Sequence, residues 1–179
     1  MIPPFFGIFI ELIVFSQFNL LILSLIIIGL IVLYLMGKVF EKYVYKPETL
    51  KLMTQHDLIS TLLNKNNKMI IYFFFPLTMV MEEFLFRFYS IGFLYIVIDL
   101  GFLESILISS LIFSIYHLHF LFKFKNWRIT IIFIIFSFFL GLLNGFVLLT
   151  IGLPFCILIH YLLAFILYLN ISKKIEHLK

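Results

Sequence analysis

The apolar positions of this chain fall in long runs, and the polar positions between them are few and clustered. Roughly 20 apolar residues in helical form cross a hydrocarbon core. Phe18 to Gly37 is the first run of that length. The Pro3–Phe15 piece before it is too short to cross alone, so it lies at the interface or lengthens this helix. Met1 to Phe18 contain no Lys or Arg, and Glu11 interrupts the apolar stretch, which makes a poor secretory signal. Lys38 to Lys68 is the one substantially polar stretch, with Leu50, Met53, Leu58, Leu62 and Leu63 at roughly helical spacing. That pattern predicts an amphipathic surface helix flanked by lysines. The second span starts near Met69 and can run to about Ile98. At 1.5 Å per residue it is about 45 Å long, more than the core requires, so it tilts or breaks. Ser90-Ile91-Gly92 is the expected break. The third span is about Leu103 to Phe120, the fourth Ile129 to Leu149 and the fifth Leu153 to Asn170.

The expected fold is therefore all-α: a polytopic membrane helix bundle of about five transmembrane spans plus an amphipathic cytoplasmic helix. Two parts are expected within one domain. Residues 1–68 carry the N-terminal transmembrane helix and the amphipathic segment, and residues 69–179 form the transmembrane core that carries the chemistry. Composition agrees, since the 179 residues are 64% hydrophobic and only 12% charged. Mean hydropathy is +1.19. A soluble domain of this size needs far more charge to cover its core.

Charge placement sets an orientation. Of the 13 Lys and Arg residues, only Arg87 falls inside a span. Lys38, Lys42, Lys46, Lys51, Lys65 and Lys68 follow span one, Lys123, Lys125 and Arg128 follow span three, and Lys173, Lys174 and Lys179 follow span five. An external N-terminus puts all of these on one side, which the positive-inside rule makes cytoplasmic, along with the C-terminus. This multi-pass arrangement in the cell membrane, in contact with lipid, accounts for the basic pI of about 9.1 without any nucleic-acid partner. The one cysteine, Cys156, excludes an intrachain disulfide and a thiolate metal cluster, and in its apolar run it reads as a small hydrophobe.

The candidate chemistry begins with Glu82, Glu83 and Arg87 in the middle of span two. A charge at that depth costs about 2.5–3.5 kcal/mol on insertion scales, which marks a functional-site candidate. Glu83 and Arg87 are four apart with the acid first, the favourable order for an ion pair on one helix face. Glu82 sits about 100° around the helix and is free to hold a proton or a water. The alternative is a buried polar clamp made of all three. Span three supplies Phe113 and His117 on one face, while His119, two residues on, is expected to face elsewhere as an interfacial histidine. Span five supplies His160 in an apolar run. A carboxylate and an imidazole around a water can activate it for attack on a carbonyl, and a second imidazole can donate to the developing oxyanion. The expectation is catalysis without a cofactor. Two His and one Glu are also a zinc ligand set, but a His-Glu-x-x-His pair is missing and each ligand comes from a different helix.

These motifs resemble those of the CPBP family of membrane proteases (CAAX proteases and bacteriocin-processing enzymes, also called Abi proteins). The family pattern is Glu-Glu-x-x-x-Arg, then Phe-x-x-x-His, then His-x-x-x-Asn, on successive helices. Here it falls on Glu82, Glu83 and Arg87, on Phe113 and His117, and on His160. The Gly141-Leu-Leu-Asn-Gly145 stretch is also similar, and the likeness covers about residues 70 to 170. The resemblance implies an all-helical membrane bundle acting as an endopeptidase on membrane-associated proteins or peptides. Glu82 and His117 would activate water without an obligatory metal, and His160 would belong to the oxyanion site. One position departs: Ala164 stands where the family has Asn, and it offers no side-chain donor. Losing one oxyanion donor lowers a rate by on the order of 10²–10³. Asn144 on span four is the candidate replacement, or a polar residue packed between helices. Ala164 also favours a second reading, a non-catalytic membrane scaffold or an immunity protein against a peptide toxin. A proton or ion pathway using the same buried groups is a third, made less attractive because five spans without inverted repeats do not resemble a transporter.

Overall fold

The computed structural model describes residues 19–54, 60 and 69–176. Helix α1 is Leu20–Tyr43 and α2 is Pro47–Thr54. A long helical run, α3, covers residues 70–97, followed by α4 (Phe102–Tyr116), α5 (His119–Phe124), α6 (Trp127–Thr150) and α7 (Leu153–Glu176). Among the described residues there is no strand, and the all-helical membrane bundle expected from the sequence is the fold. Four stretches there are long and apolar enough to cross a membrane: Leu20–Tyr43, Phe102–Phe124, Trp127–Thr150 and Leu153–Ile175. The α3 run, the second expected span, completes the bundle and carries three charges in its interior.

Local sequence accounts for the helix starts. Asn19 caps α1 by accepting from the Ile22 amide at 2.8 Å, and Asn126 caps α6 through the Arg128 and Ile129 amides at 3.0 and 3.2 Å. Each satisfies amides that a helix N-terminus leaves open.

The expected break in α3 does not occur at Ser90–Gly92. The run stays helical by alternating α and π turns, with π segments at Ile70–Phe74, Phe84–Tyr89 and Phe93–Val97. Its register is held by packing: Ile91 is fully buried and sits against Gly145 of α6, where an added Cβ would meet the Ile91 side chain at 3.2 Å. Tertiary contact overrides the local preference of Ser and Gly for a bend.

Close helix approach rests on small residues, as is usual where lipid removes the hydrophobic drive between helices. A Cβ added at Gly141 would lie 3.0 Å from the Ser110 backbone. Ser114 donates to the Ile134 carbonyl of α6 at 2.9 Å, and Ser109 donates to the Phe86 carbonyl of α3. Helix α4 is thereby pinned to both neighbours.

The amphipathic segment is docked on the bundle. Leu50 and Met53 of α2 are buried in a cluster with Tyr45, Phe124, Ile129 and Ile171. The expected apolar partners Leu58, Leu62 and Leu63 lie outside the described residues.

Candidate active site

Glu83 and Arg87, one turn apart on α3, are both fully buried, with Arg87 Nε 3.3 Å from Glu83 Oε2. The guanidinium carbon lies 4.1 Å from the centroid of the Phe113 ring on α4, a cation–π contact in a desolvated setting. The other Glu83 oxygen is 2.7 Å from His160 Nδ1 on α7. A carboxylate only accepts, so His160 donates through Nδ1–H and its Nε2 edge is left to face away from Glu83. Glu83 thus joins α3 to α7, and its partner Arg87 joins α3 to α4.

Glu82 points a different way. Its Oε2 is 3.7 Å from His160 Nε2, too far for a direct hydrogen bond. His117 caps the end of α4, and its Nδ1 is 2.9 Å from the Phe113 carbonyl. A carbonyl cannot donate, so Nδ1 carries the proton and Nε2 of the neutral ring keeps its lone pair. Phe113 spaces the two imidazoles, edge-on to His117 at 4.8 Å and to His160 at 5.8 Å.

A cavity of about 490 Å³ is lined by Glu82, His117 and His160 together. Ala164 also lines it, and its walls are largely aromatic and aliphatic, with Phe75, Met79, Phe120, Phe136 and Leu140. Glu83, Arg87 and Asn144 lie behind the wall. Asn144 is fully buried; its amide donates to the Cys156 carbonyl at 3.1 Å, and the Cys156 thiol donates back to the Asn144 carbonyl at 3.2 Å. Asn144 therefore ties α6 to α7. Among the described residues no three His, Cys, Asp or Glu side chains are grouped to hold a metal ion.

His119 does not face elsewhere: it lines the same cavity, its ring 6.2 Å from that of His117. The expectation assumed one continuous helix. Instead α4 ends at Tyr116, the chain turns at His117–Leu118, and α5 starts at His119. Lys123, one turn further on, lines the cavity too. No Gly or Pro marks this turn, so the usual sequence signal for a helix boundary was missing.

Fold and composition define a multi-pass membrane protein with an acid- and imidazole-bearing cavity inside its helices. Residues 64–166 match a protein family described as type II CAAX prenyl endopeptidase Rce1-like. The chain belongs to this family of CAAX-type membrane endopeptidases. No curated protein and no solved structure matches it.

Proposed function

We propose that the chain is a glutamate-dependent intramembrane endopeptidase acting on a membrane-associated protein or peptide. The observation that carries the reading is the shared cavity of Glu82, His117 and His160, drawn from three helices, with His160 held from behind by Glu83. Glu82 accepts a proton from a water that His117 orients through its Nε2 lone pair. The resulting hydroxide oxygen bonds to the peptide carbonyl carbon. With its Nδ1–H held by Glu83, His160 in its imidazolium form donates Nε2–H to the oxyanion. Collapse breaks the C–N bond, and the proton on Glu82 passes to the departing amine. Membranes holding the wild-type chain should yield new peptide termini by mass spectrometry that are missing when Glu82→Gln is expressed instead. An identical set of termini from both would remove the reading.

Residues 69–179 are the core that performs this chemistry, and residues 1–68 supply the N-terminal helix and the amphipathic segment. The orientation we propose has the N-terminus outside and the C-terminus in the cytoplasm. An epitope placed after Lys179 should be reached by antibody only once cells are permeabilised. Labelling in intact cells would invert the arrangement.

Ala164 is the observation that favours the second reading, a scaffold or immunity protein, because it lines the cavity without offering a donor. The two readings part at one substitution. Ala164→Asn should raise endopeptidase turnover by about tenfold or more, since a single oxyanion donor is worth on the order of 10²–10³. A scaffold would show no turnover before or after, and its protective effect in cells would persist in Glu82→Gln.

A further inference from the structure

The oxyanion site of the proposed reaction has His160 as its donor, and Ala164 adds none to it. An oxyanion accepts more than one hydrogen bond, and a single donor there is worth on the order of 10²–10³ in rate. Among the described residues four hydroxyls line the cavity, those of Thr78, Tyr116, Ser137 and Tyr168. Thr78 donates to the Phe75 carbonyl at 2.7 Å, and Ser137 to the Ile134 carbonyl at 3.0 Å. Tyr168 stands two turns beyond His160 on α7, about 12 Å along the helix, with its ring against Phe75. Neutral His117 and His119 give their Nδ1–H to carbonyls at 2.9 and 2.7 Å, which leaves each an acceptor nitrogen and no donor.

Tyr116 is different. It is the last residue of α4, directly before His117, and the two rings lie 5.5 Å apart. Its ring is also 5.2 Å from that of Phe86. Phe86 follows Glu82 by four residues on α3, so Tyr116 packs along the side of α3 that carries the proposed base. The phenol is close enough to Glu82 for the two to interact electrostatically. Among the described residues its hydroxyl has no hydrogen-bond partner, and the residue is exposed rather than sealed in the core.

We propose that Tyr116 is a further catalytic residue, its hydroxyl donating the second hydrogen bond to the oxyanion in the role Ala164 cannot fill. This rests on the endopeptidase reading and adds a residue to its machinery. Before attack, the one acid lining the cavity among the described residues is Glu82, and the phenol proton is drawn to it. As Glu82 takes the proton from water, negative charge appears on the peptide oxygen instead, and the O–H turns toward it. The phenol keeps its proton throughout. The bond is made only as the transition state forms, so its loss lowers kcat and leaves KM nearly unchanged.

The test uses full-length chains in phosphatidylcholine nanodiscs. Turnover is followed on a substrate identified by terminal-peptide mass spectrometry. Tyr116→Phe keeps the ring and its packing, so melting should match the wild type. Its kcat should fall by about 10² or more, with KM within about twofold. Ala164→Asn should raise turnover more in Tyr116→Phe than in the wild type, because both donors serve one oxygen. A second arm reads the same bond without cleavage, in Glu82→Gln, whose neutral amide stands in for the protonated acid. Pooled hydrophobic decapeptides are offered unchanged or with one peptide bond replaced by a phosphinate, which carries the negative oxygen of the tetrahedral adduct. Retention should favour the phosphinates, and adding Tyr116→Phe should lower that preference about tenfold or more, whereas adding Lys123→Met should not. Wild-type turnover in Tyr116→Phe, equal gains from Ala164→Asn in both backgrounds, no phosphinate preference, or one that depends on Lys123 instead, overturns the assignment. A phosphinate preference that needs the Tyr116 hydroxyl, found with no cleavage by the wild-type chain, would leave the donor standing and overturn the endopeptidase reading alone.

Discussion

Glu82→Gln should lower peptide-bond cleavage by on the order of 10²–10⁴, the range a positioned general base contributes, with little change in thermal stability. The two halves of that expectation come from the same geometry. Glu82 is outside the Glu83–Arg87 pair, keeps a side chain 20% exposed and lines the cavity. Its amide replacement has the same shape and leaves no buried charge unpaired, so folding loses little. It cannot take a proton from water, so chemistry loses much. Turnover of a substrate found by terminal-peptide mass spectrometry measures the first half, and melting of the purified chain in detergent measures the second. Wild-type turnover in a well-folded Glu82→Gln chain would take the base away from Glu82.

Much of this site was legible in the residues before any coordinates. The four-residue spacing of Glu83 and Arg87 separates a paired acid from a free one, and the 100° offset per residue puts Glu82 on another face. The structure pairs Glu83 with Arg87 and turns Glu82 to the cavity. What spacing could not supply was the third partner of Glu83. His160 is 77 residues away in sequence, and only the packing of α3 against α7 brings its Nδ1 within 2.7 Å. His119 and Lys123 were hidden for a different reason: periodicity assigns faces only while a helix continues, and α4 stops one residue before His117. The retained helix at Ser90–Gly92 errs in the opposite sense. Residues with turn-forming character were kept helical because Ile91 had a core to fill.

The largest effect on folding should come from Arg87→Ala. In the wild type the Glu83 carboxylate, fully buried, is met by Arg87 at 3.3 Å and by His160 at 2.7 Å. Removing the guanidinium leaves the buried acid without its fixed countercharge and strips the face of Phe113 of its cation. Breaking one side of a buried pair typically destabilises by about 3–5 kcal/mol, whereas replacing both partners with apolar groups of similar volume is often neutral or stabilising. Arg87→Ala should therefore melt far below the wild type or fail to accumulate. Arg87→Met combined with Glu83→Leu should recover most of the stability. The double variant should nevertheless stay inactive, because His160 then has no acceptor for Nδ1–H and its ring is no longer oriented toward the cavity. Stability restored without turnover separates the two duties of Glu83, anchoring the buried ion pair and orienting His160. A double variant that cleaves normally would show that Glu83 serves the fold only.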